Sequence, residues 1–275
     1  MKKRQKGDER AGSRPLIRYA DEHIVVVEKP AGLTTMRHAH EAAEFGARGQ
    51  RFLPKTLADF LRHRLQQNVH GERGARSAER KDRKALRAPR SALRAVHRLD
   101  KDTSGLVVFA RTADAERNLG QQFRAHTVER RYLAVVRGRA KSQRIESYLV
   151  PDRGDARRGS AASLGTGKRA VTHVRVLEDL GHYTWVECRL ETGRTHQVRI
   201  HLGEAGTPIC GERVYDRPVH GGPLPDRSRA PRLALHAASL GFKHPANGQW
   251  LEWTSPLPDD LKRLLAQLRA RQPGR

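Results

Sequence analysis

Cysteine is nearly absent from this chain: there are two in 275 residues, Cys188 and Cys210, too few for a disulfide framework. Their spacing matches no metal motif, and so sparse a usage fits a reducing compartment, the cytoplasm. Aromatic residues are scarce at 5%, and no apolar run approaches the length of a membrane span. No basic helix with aromatic anchors offers a membrane-surface alternative. The basic start Met1-Lys2-Lys3-Arg4 has no apolar segment behind it, so it is not a secretory signal. Acidic residues are the other shortage, with Asp+Glu at 30 against Lys+Arg at 54, a net charge of +24 and a pI near 11.1. Such an excess favours a polyanionic partner, and nucleic acid is the default. Phosphate-binding glycine loops and metal-ligand clusters are also missing. Neither nucleotide-driven nor metal-centred chemistry has a foothold in the sequence.

What is present is organised around His97 to Arg111, His-Arg-Leu-Asp-Lys-Asp-Thr-Ser-Gly-Leu-Val-Val-Phe-Ala-Arg. Leu106 to Ala110 reads as a buried strand, and Thr103-Ser104-Gly105 before it as a turn. A carboxylate, Asp100, therefore stands in a tight loop on a rigid support. Taken alone, His-Arg-Leu-Asp is more often a turn whose aspartate caps the backbone.

Along the chain, residues 1–14 read as a flexible basic tail. Ile24 to Val27 is a strand stopped by Pro30 and Gly32. Thr56 and Asp59 form a capping-box pair for a helix with Leu57, Phe60, Leu61 and Leu65 on one face. Residues 70–94 are a low-complexity, Arg-rich insertion, read as a solvated, flexible arm that would order on RNA by contacting phosphates. Thr112 caps a second helix whose first turn carries Asp114 and Glu116. Arg131 to Gly138 is a strand, 151–169 a loop, and Ala170 to Glu178 with Tyr183 to Leu190 a hairpin turning at 180–182. Leu233 to Phe242 and Trp250 to Trp253 are further strands. Asp259 opens a final helix with Leu261, Leu264, Leu265 and Leu268 at helical spacing. Strands outnumber helices without alternating with them. The fold class is α+β, with a largely antiparallel or mixed central sheet flanked by helices and loops. The working division is a tail at 1–14, one domain at 15–268 carrying the insertion at 70–94, and a tail at 269–275.

Five segments in order resemble the RluA family of RNA pseudouridine synthases. They are Asp21 to Leu33 (Asp-Glu-x-Ile-Val-Val-Val-x-Lys-Pro-Ala-Gly-Leu), His97 to Arg111, Arg131-Tyr-Leu-Ala134, Thr192-Gly-Arg-Thr-His-Gln-Val-Arg199, and Leu235 to Phe242 with His244-Pro245. The resemblance spans about residues 16 to 265. It implies the synthase catalytic domain, without the small N-terminal RNA-binding module of some members, acting on structured RNA, ribosomal ahead of transfer RNA. The implied reaction isomerises uridine to pseudouridine with no cofactor and no metal. It makes Asp100 the catalytic aspartate, Tyr132 the contact to the target base and Arg199, ahead of Arg194, the basic partner of Asp100. An arginine close to a carboxylate favours its ionised form, which either attack at the sugar or proton abstraction from it would need. His97, Arg98, Arg194 and His196 share these motifs and are assigned to substrate binding, Arg98 as the side chain that fills the gap left by a flipped uridine. By spacing alone, His97, His196, His201 and His236 read as structural hydrogen-bonding groups rather than metal ligands. Cys188 is expected to be buried. The protein is expected to be a cytoplasmic monomer with RNA as partner and no membrane association. The rival from another class is a non-catalytic RNA-binding or ribosome-assembly protein on the same fold. A nuclease would need a carboxylate cluster or paired histidines, and no convincing candidate for either is present.

Overall fold

The computed structural model describes residues 14–37, 53–70, 93–161, 166–218 and 221–271. All of the expected 1–14 tail but Arg14, the Arg-rich stretch at 71–92 and residues 272–275 lie outside the described residues.

Runs of β-branched and apolar residues form the centre of the sheet. Strand β2 (Ile24–Lys29) is antiparallel to β4 (Ser104–Ala110), with Val26 opposite Val108. Every residue of β4 is buried, so the strand is covered on both faces. Val107 and Phe109 point into a core that includes helix α1 (Leu57–His70) and the last helix, α4 (Asp259–Ala270). Leu106, Val108 and Ala110 point into a second core under helix α2 (Ala113–Arg124). Burying each Leu, Val or Phe of these layers is worth about 1.5–3 kcal/mol.

The remaining strands are β1 (Leu16–Ala20), β3 (Arg94–Ala95), β5 (Glu129–Arg137), β6 (Gln143–Val150), β7 (Gly159–Ser160), β8 (Lys168–Asp179), β9 (Tyr183–Leu190), β10 (Leu235–Lys243) and β11 (Trp250–Thr254). The described residues form one sheet in the order β1-β2-β4-β10-β5-β9-β8-β6-β7, with β3 on β4 and β11 on β10. All pairings are antiparallel except β10 with β4. That mixed, mostly antiparallel sheet is the expected α+β architecture. Strand β10 is its hub: it lies between β4 and β5 and so brings the turn before β4 alongside the residues of β5. The backbones of β4 and β10 meet at Gly105, where φ is +114° and a Cβ would drive into the Ala237 backbone. The third residue of Thr103-Ser104-Gly105 therefore has to be glycine.

The capping box at Thr56 is formed: Asp59 N–H donates to Thr56 Oγ1 at 3.2 Å and Thr56 N–H to Asp59 Oδ2 at 3.0 Å. Thr112 Oγ1 likewise accepts the Ala115 N–H at 3.1 Å. Two ends depart from the reading. The insertion was drawn to 94, yet Leu93 is buried and Arg94 already belongs to β3, its Nη1 3.0 Å from Glu116. The tail was drawn from 269, yet α4 runs to Ala270 and Arg269 pairs with Glu178 at 2.6 Å. Strands β1, β3, β6 and β7 and helix α3 (Gln197–Glu204) were not foreseen. Strand β6 is mostly solvent-facing, with only Leu149 buried, because it lies towards the sheet edge with β7 beyond it.

Candidate active site

Asp100 sits in the turn between β3 and β4, and that turn is held from below. Leu99 is buried, and its backbone exchanges two hydrogen bonds with Thr35 Oγ1, at 2.7 and 3.2 Å. Lys29, at the end of β2, is fully buried. Its Nζ donates to the carbonyls of Pro30, Leu33 and Lys101 at 2.8–3.0 Å. Burial pushes this ammonium down to about 7, against the pull of Asp100 and Asp102. The segment after β2 and the Asp100 turn are thereby tied together.

One flank of Asp100 is built by α3. His196 takes the left-handed backbone conformation that opens the helix, and Arg199 follows one turn later on the same face. Gln197 fixes this start, accepting from Thr192 Oγ1 and the Arg194 N–H and donating to Val171 O and Thr172 Oγ1. Arg199 Nη1 donates to Asp100 Oδ2 at 3.1 Å. Its other edge grips Glu212, with Nε at 2.6 Å and Nη2 at 2.9 Å, a bidentate pair. Glu212 is buried and also accepts the N–H groups of Arg213 and Val214 at 2.9 Å. Burial alone would raise its carboxyl, but Arg199 and the N–H groups of Val214 and Tyr215 hold it below its ordinary value. The Tyr215 ring lies under the Arg199 guanidinium at 5.1 Å, and its hydroxyl is 2.7 Å from His196 Nδ1. His196 Nε2 faces Asp100 Oδ1 at 3.6 Å. Burial lowers the His196 imidazole, outweighing the pull of Asp100, so it is neutral at pH 7. With Nε2–H towards Asp100, Nδ1 accepts from the Tyr215 hydroxyl.

The other flank is β5. Tyr132 is 9% exposed and belongs to the core. Burial raises its phenol, and the nearby Asp100 adds to that, so it stays protonated. Two residues earlier on the same face, Arg130 is also buried. His97 does not reach the carboxylate. Its ring stacks on Phe123 at 4.7 Å and its Nε2 accepts the Val108 N–H at 3.1 Å. With Arg98, Met36 and Arg37 it lines a recess of about 200 Å³ beside the Asp100 turn. Arg98 is exposed. Arg194 spends its Nε on the Arg169 carbonyl at 2.9 Å, so of the two arginines considered as partner to Asp100 the structure brings Arg199.

Sequence reading passed over Glu212, Tyr215, Lys29 and Arg130. The first two lay in a Gly- and Pro-punctuated loop, where the run Cys210-Gly-Glu-Arg-Val-Tyr215 was the available signal. Lys29 stood in a quoted motif, but a lysine's burial is invisible in a sequence. The described residues hold no group of three or more His, Cys, Asp or Glu arranged to bind a metal, and no helix long and apolar enough to cross a membrane.

A carboxylate on a rigid turn, gripped by an arginine that is itself clamped, and set in a mixed sheet, is a carboxylate-centred candidate site, and likeness to known proteins gives its family. The sequence profile described as RNA pseudouridylate synthase matches residues 23–204. The ribosomal large subunit pseudouridine synthase D of Nitrosomonas europaea is 38% identical over 259 residues, 92% of this chain and 65% of that protein. The protein of the same name from Zymomonas mobilis is 37% identical over 254 residues, 92% of this chain and 72% of the other. This chain thus spans about two thirds of the length of those relatives. Human RNA Pseudouridylate Synthase Domain Containing 4 shares the fold, with a TM-score of 0.66 at 23% identity, covering 92% of this chain and 93% of the other. The chain belongs to the RNA pseudouridylate synthase family, in its RluA branch.

Proposed function

We propose that this chain is an RNA pseudouridine synthase acting on particular uridines of ribosomal RNA, with Asp100 as the catalytic aspartate. One observation carries the assignment: Arg199 donates to Asp100 while held by Glu212 on its other edge. That arrangement keeps an ionised carboxylate in a fixed place, with His196 Nε2 facing its second oxygen at 3.6 Å. The relatives named for the ribosomal large subunit favour ribosomal over transfer RNA.

In the reaction the N1–C1′ bond breaks, the uracil turns, C5 bonds to C1′, N1 gains a proton and the C5 proton leaves. Product and substrate have the same atoms, so the chemistry calls for no cofactor, metal or redox partner. Asp100 attacks C1′ or removes a sugar proton to start it. Tyr132, kept protonated, stacks on the uracil or stands at C5. Arg199 orients Asp100, and neutral His196 faces its other oxygen. A stacked uridine cannot reach this carboxylate, so it is flipped out, with exposed Arg98 filling the gap and His97 and Arg194 bordering the bound RNA. Residues 15–270 act as the catalytic domain of a cytoplasmic monomer whose partner is RNA, with the stretch at 71–92 as its RNA-contacting arm.

The test is pseudouridine mapping on total RNA from cells lacking the protein, restored with wild type or Asp100→Asn. Loss of a few ribosomal sites that wild type alone restores is the expected result. Restoration by the variant overturns the role of Asp100. If no site changes, the non-catalytic RNA-binding reading takes its place.

A further inference from the structure

Among the described residues, several buried or half-buried arginines are met by acceptors. Arg199 has two carboxylates, Arg153 has Asp155 and Glu204, and Arg137 has two carbonyls. Arg130 is different. It is 6% exposed, yet among the described residues its guanidinium donates a single hydrogen bond, Nη2 to Glu191 O at a long 3.4 Å. Its Nε is buried with no acceptor, as are those of Arg111 and Arg137, but the terminal nitrogens of those two meet carbonyls closely. One face packs over the Phe123 ring at 5.4 Å. Leaving a buried cation so poorly served costs several kcal/mol unless something else meets it.

The surroundings show what that something is. Gly193 lies directly over the guanidinium and is itself exposed, and a Cβ at that position would collide with Nη1. An exposed glycine thus lies against this buried charge on one side. The neighbouring groups are positive too: Arg194 acts on Arg130, and Arg194, Arg130 and Arg169 all act on His126. Glu191, the carboxylate bordering the patch, is shared by His173, Arg144 at 3.7 Å and Arg169 at 3.9 Å. The place is short of an anion. It lies two residues from Tyr132 on the same strand face, about 7 Å along β5, which is within one nucleotide's reach of a base held there.

We propose that Arg130 is the docking point for a backbone phosphate next to the target nucleotide, admitted over Gly193 and flanked by Arg194. This rests on the RNA-modifying reading above. A guanidinium presents paired N–H donors that match phosphate oxygens, and a half-desolvated one binds them more strongly than a surface lysine does. It touches no bond that breaks, so it holds the substrate and takes no part in the isomerisation.

The experiment measures wild type, Arg130→Gln, Arg130→Lys and Gly193→Ala in parallel. The probe is an unmodified transcript of bacterial large-subunit ribosomal RNA, with binding followed across a range of salt and turnover by release of tritium from C5. In Arg130→Gln, affinity should fall roughly tenfold. The slope of log affinity against log salt should become shallower by about 0.7–0.9, one phosphate contact. Arg130→Lys should recover the slope and part of the affinity. Gly193→Ala should weaken binding with the charge still present, because its Cβ displaces the guanidinium. An unchanged slope in Arg130→Gln overturns the proposal. So does a loss of turnover at saturating RNA with binding intact, which is the mark of a residue that only positions the Thr192–Arg194 turn. If Arg130→Gln fails to fold, Arg130→Lys and Gly193→Ala decide: a slope in Arg130→Lys as reduced as a lost contact would give, or wild-type binding in Gly193→Ala, overturns it. Absence of tritium release from the wild type defeats the synthase reading, while the binding slopes still judge Arg130.

Discussion

The two flanks of Asp100 are built from the same residue types and finished differently. On the α3 side each charged group meets its complement: Arg199 lies between Asp100 and Glu212, and Tyr215 serves both Arg199 and His196. On the β5 side Tyr132 and Arg130 are buried and His97 is half-buried, against apolar or like-charged neighbours, and the charge of Arg130 is left almost unanswered. A closed hydrogen-bond network fixes a geometry before the ligand arrives. An open, desolvated cation instead stores affinity for a ligand that completes it. On the proposed reading, the carboxylate has one side for orientation and one for substrate.

The sharpest way to break this picture is at the carboxylate itself. Asp100→Asn keeps the shape and the Arg199 contact but removes the charge, so pseudouridine formation should drop by at least about 10³-fold. RNA affinity should hold within a few-fold, because the β5 side is untouched. Measuring both on one preparation separates the flanks, and a matching loss of affinity would merge them. Next is Glu212→Gln, which unlocks Arg199 without touching Asp100. A lower kcat by about 10- to 100-fold with a nearly constant KM is expected, with partial rescue by Glu212→Asp. Removing one partner of a buried ion pair should also cost about 3–5 kcal/mol of stability. An unchanged kcat would show that Arg199 holds its position without the clamp.

How much of this was legible follows from what each feature depends on. Asp100, Tyr132 and Arg199 stood in contiguous motifs, and the buried strands announced themselves by apolar runs such as Ile24 to Val27. Glu212 could not be read in that way. Its partner lies thirteen residues away across a helix, and its value comes from burial and from backbone N–H groups that no side-chain pattern encodes. Arg130 looked like one more arginine in a chain full of them, next to Arg131, which is exposed and paired with Glu129 at 3.2 Å. Only strand register decides that one faces the core and the other water. His97 shows another limit: its motif position suggested a substrate contact, but not that its ring also stacks on Phe123 while lining the recess beside the Asp100 turn.

Acid should distinguish the buried scaffold from the carboxylate networks. His201 and His236 are fully buried, and burial pushes each imidazole down to about 4. Between 6.5 and 4 the unfolded chain takes up protons at these positions and the folded chain does not, so stability must fall as pH falls through that window. The loss is of order 3 kcal/mol for each group. Carboxylates held below their ordinary values, such as Glu212 and Asp260, lose their contribution only at lower pH still. Urea midpoints at pH 7.5, 5.5 and 4.5 should decline in step, and His236→Gln should flatten part of the decline. A flat profile above pH 4.5 would mean that these rings are protonated in the folded state.

The smallest expected effect is the most direct probe of the open flank. His97 is held well below its ordinary value first by burial of its ring and then by the charge of Arg130. Arg130→Met removes the second cause and leaves the first, so the imidazole should titrate at a higher pH than in wild type while staying below 6.5. The signal is the Cε1 proton of His97 followed by NMR, with His201 and His236 as internal references that should not move. If His97 does not move either, the charge of Arg130 is already neutralised in the free protein and the flank is closed. If it moves, the same resonance in wild type becomes a reporter. RNA placing a phosphate on Arg130 should shift it in the same direction as the mutation, because both cancel the same positive charge.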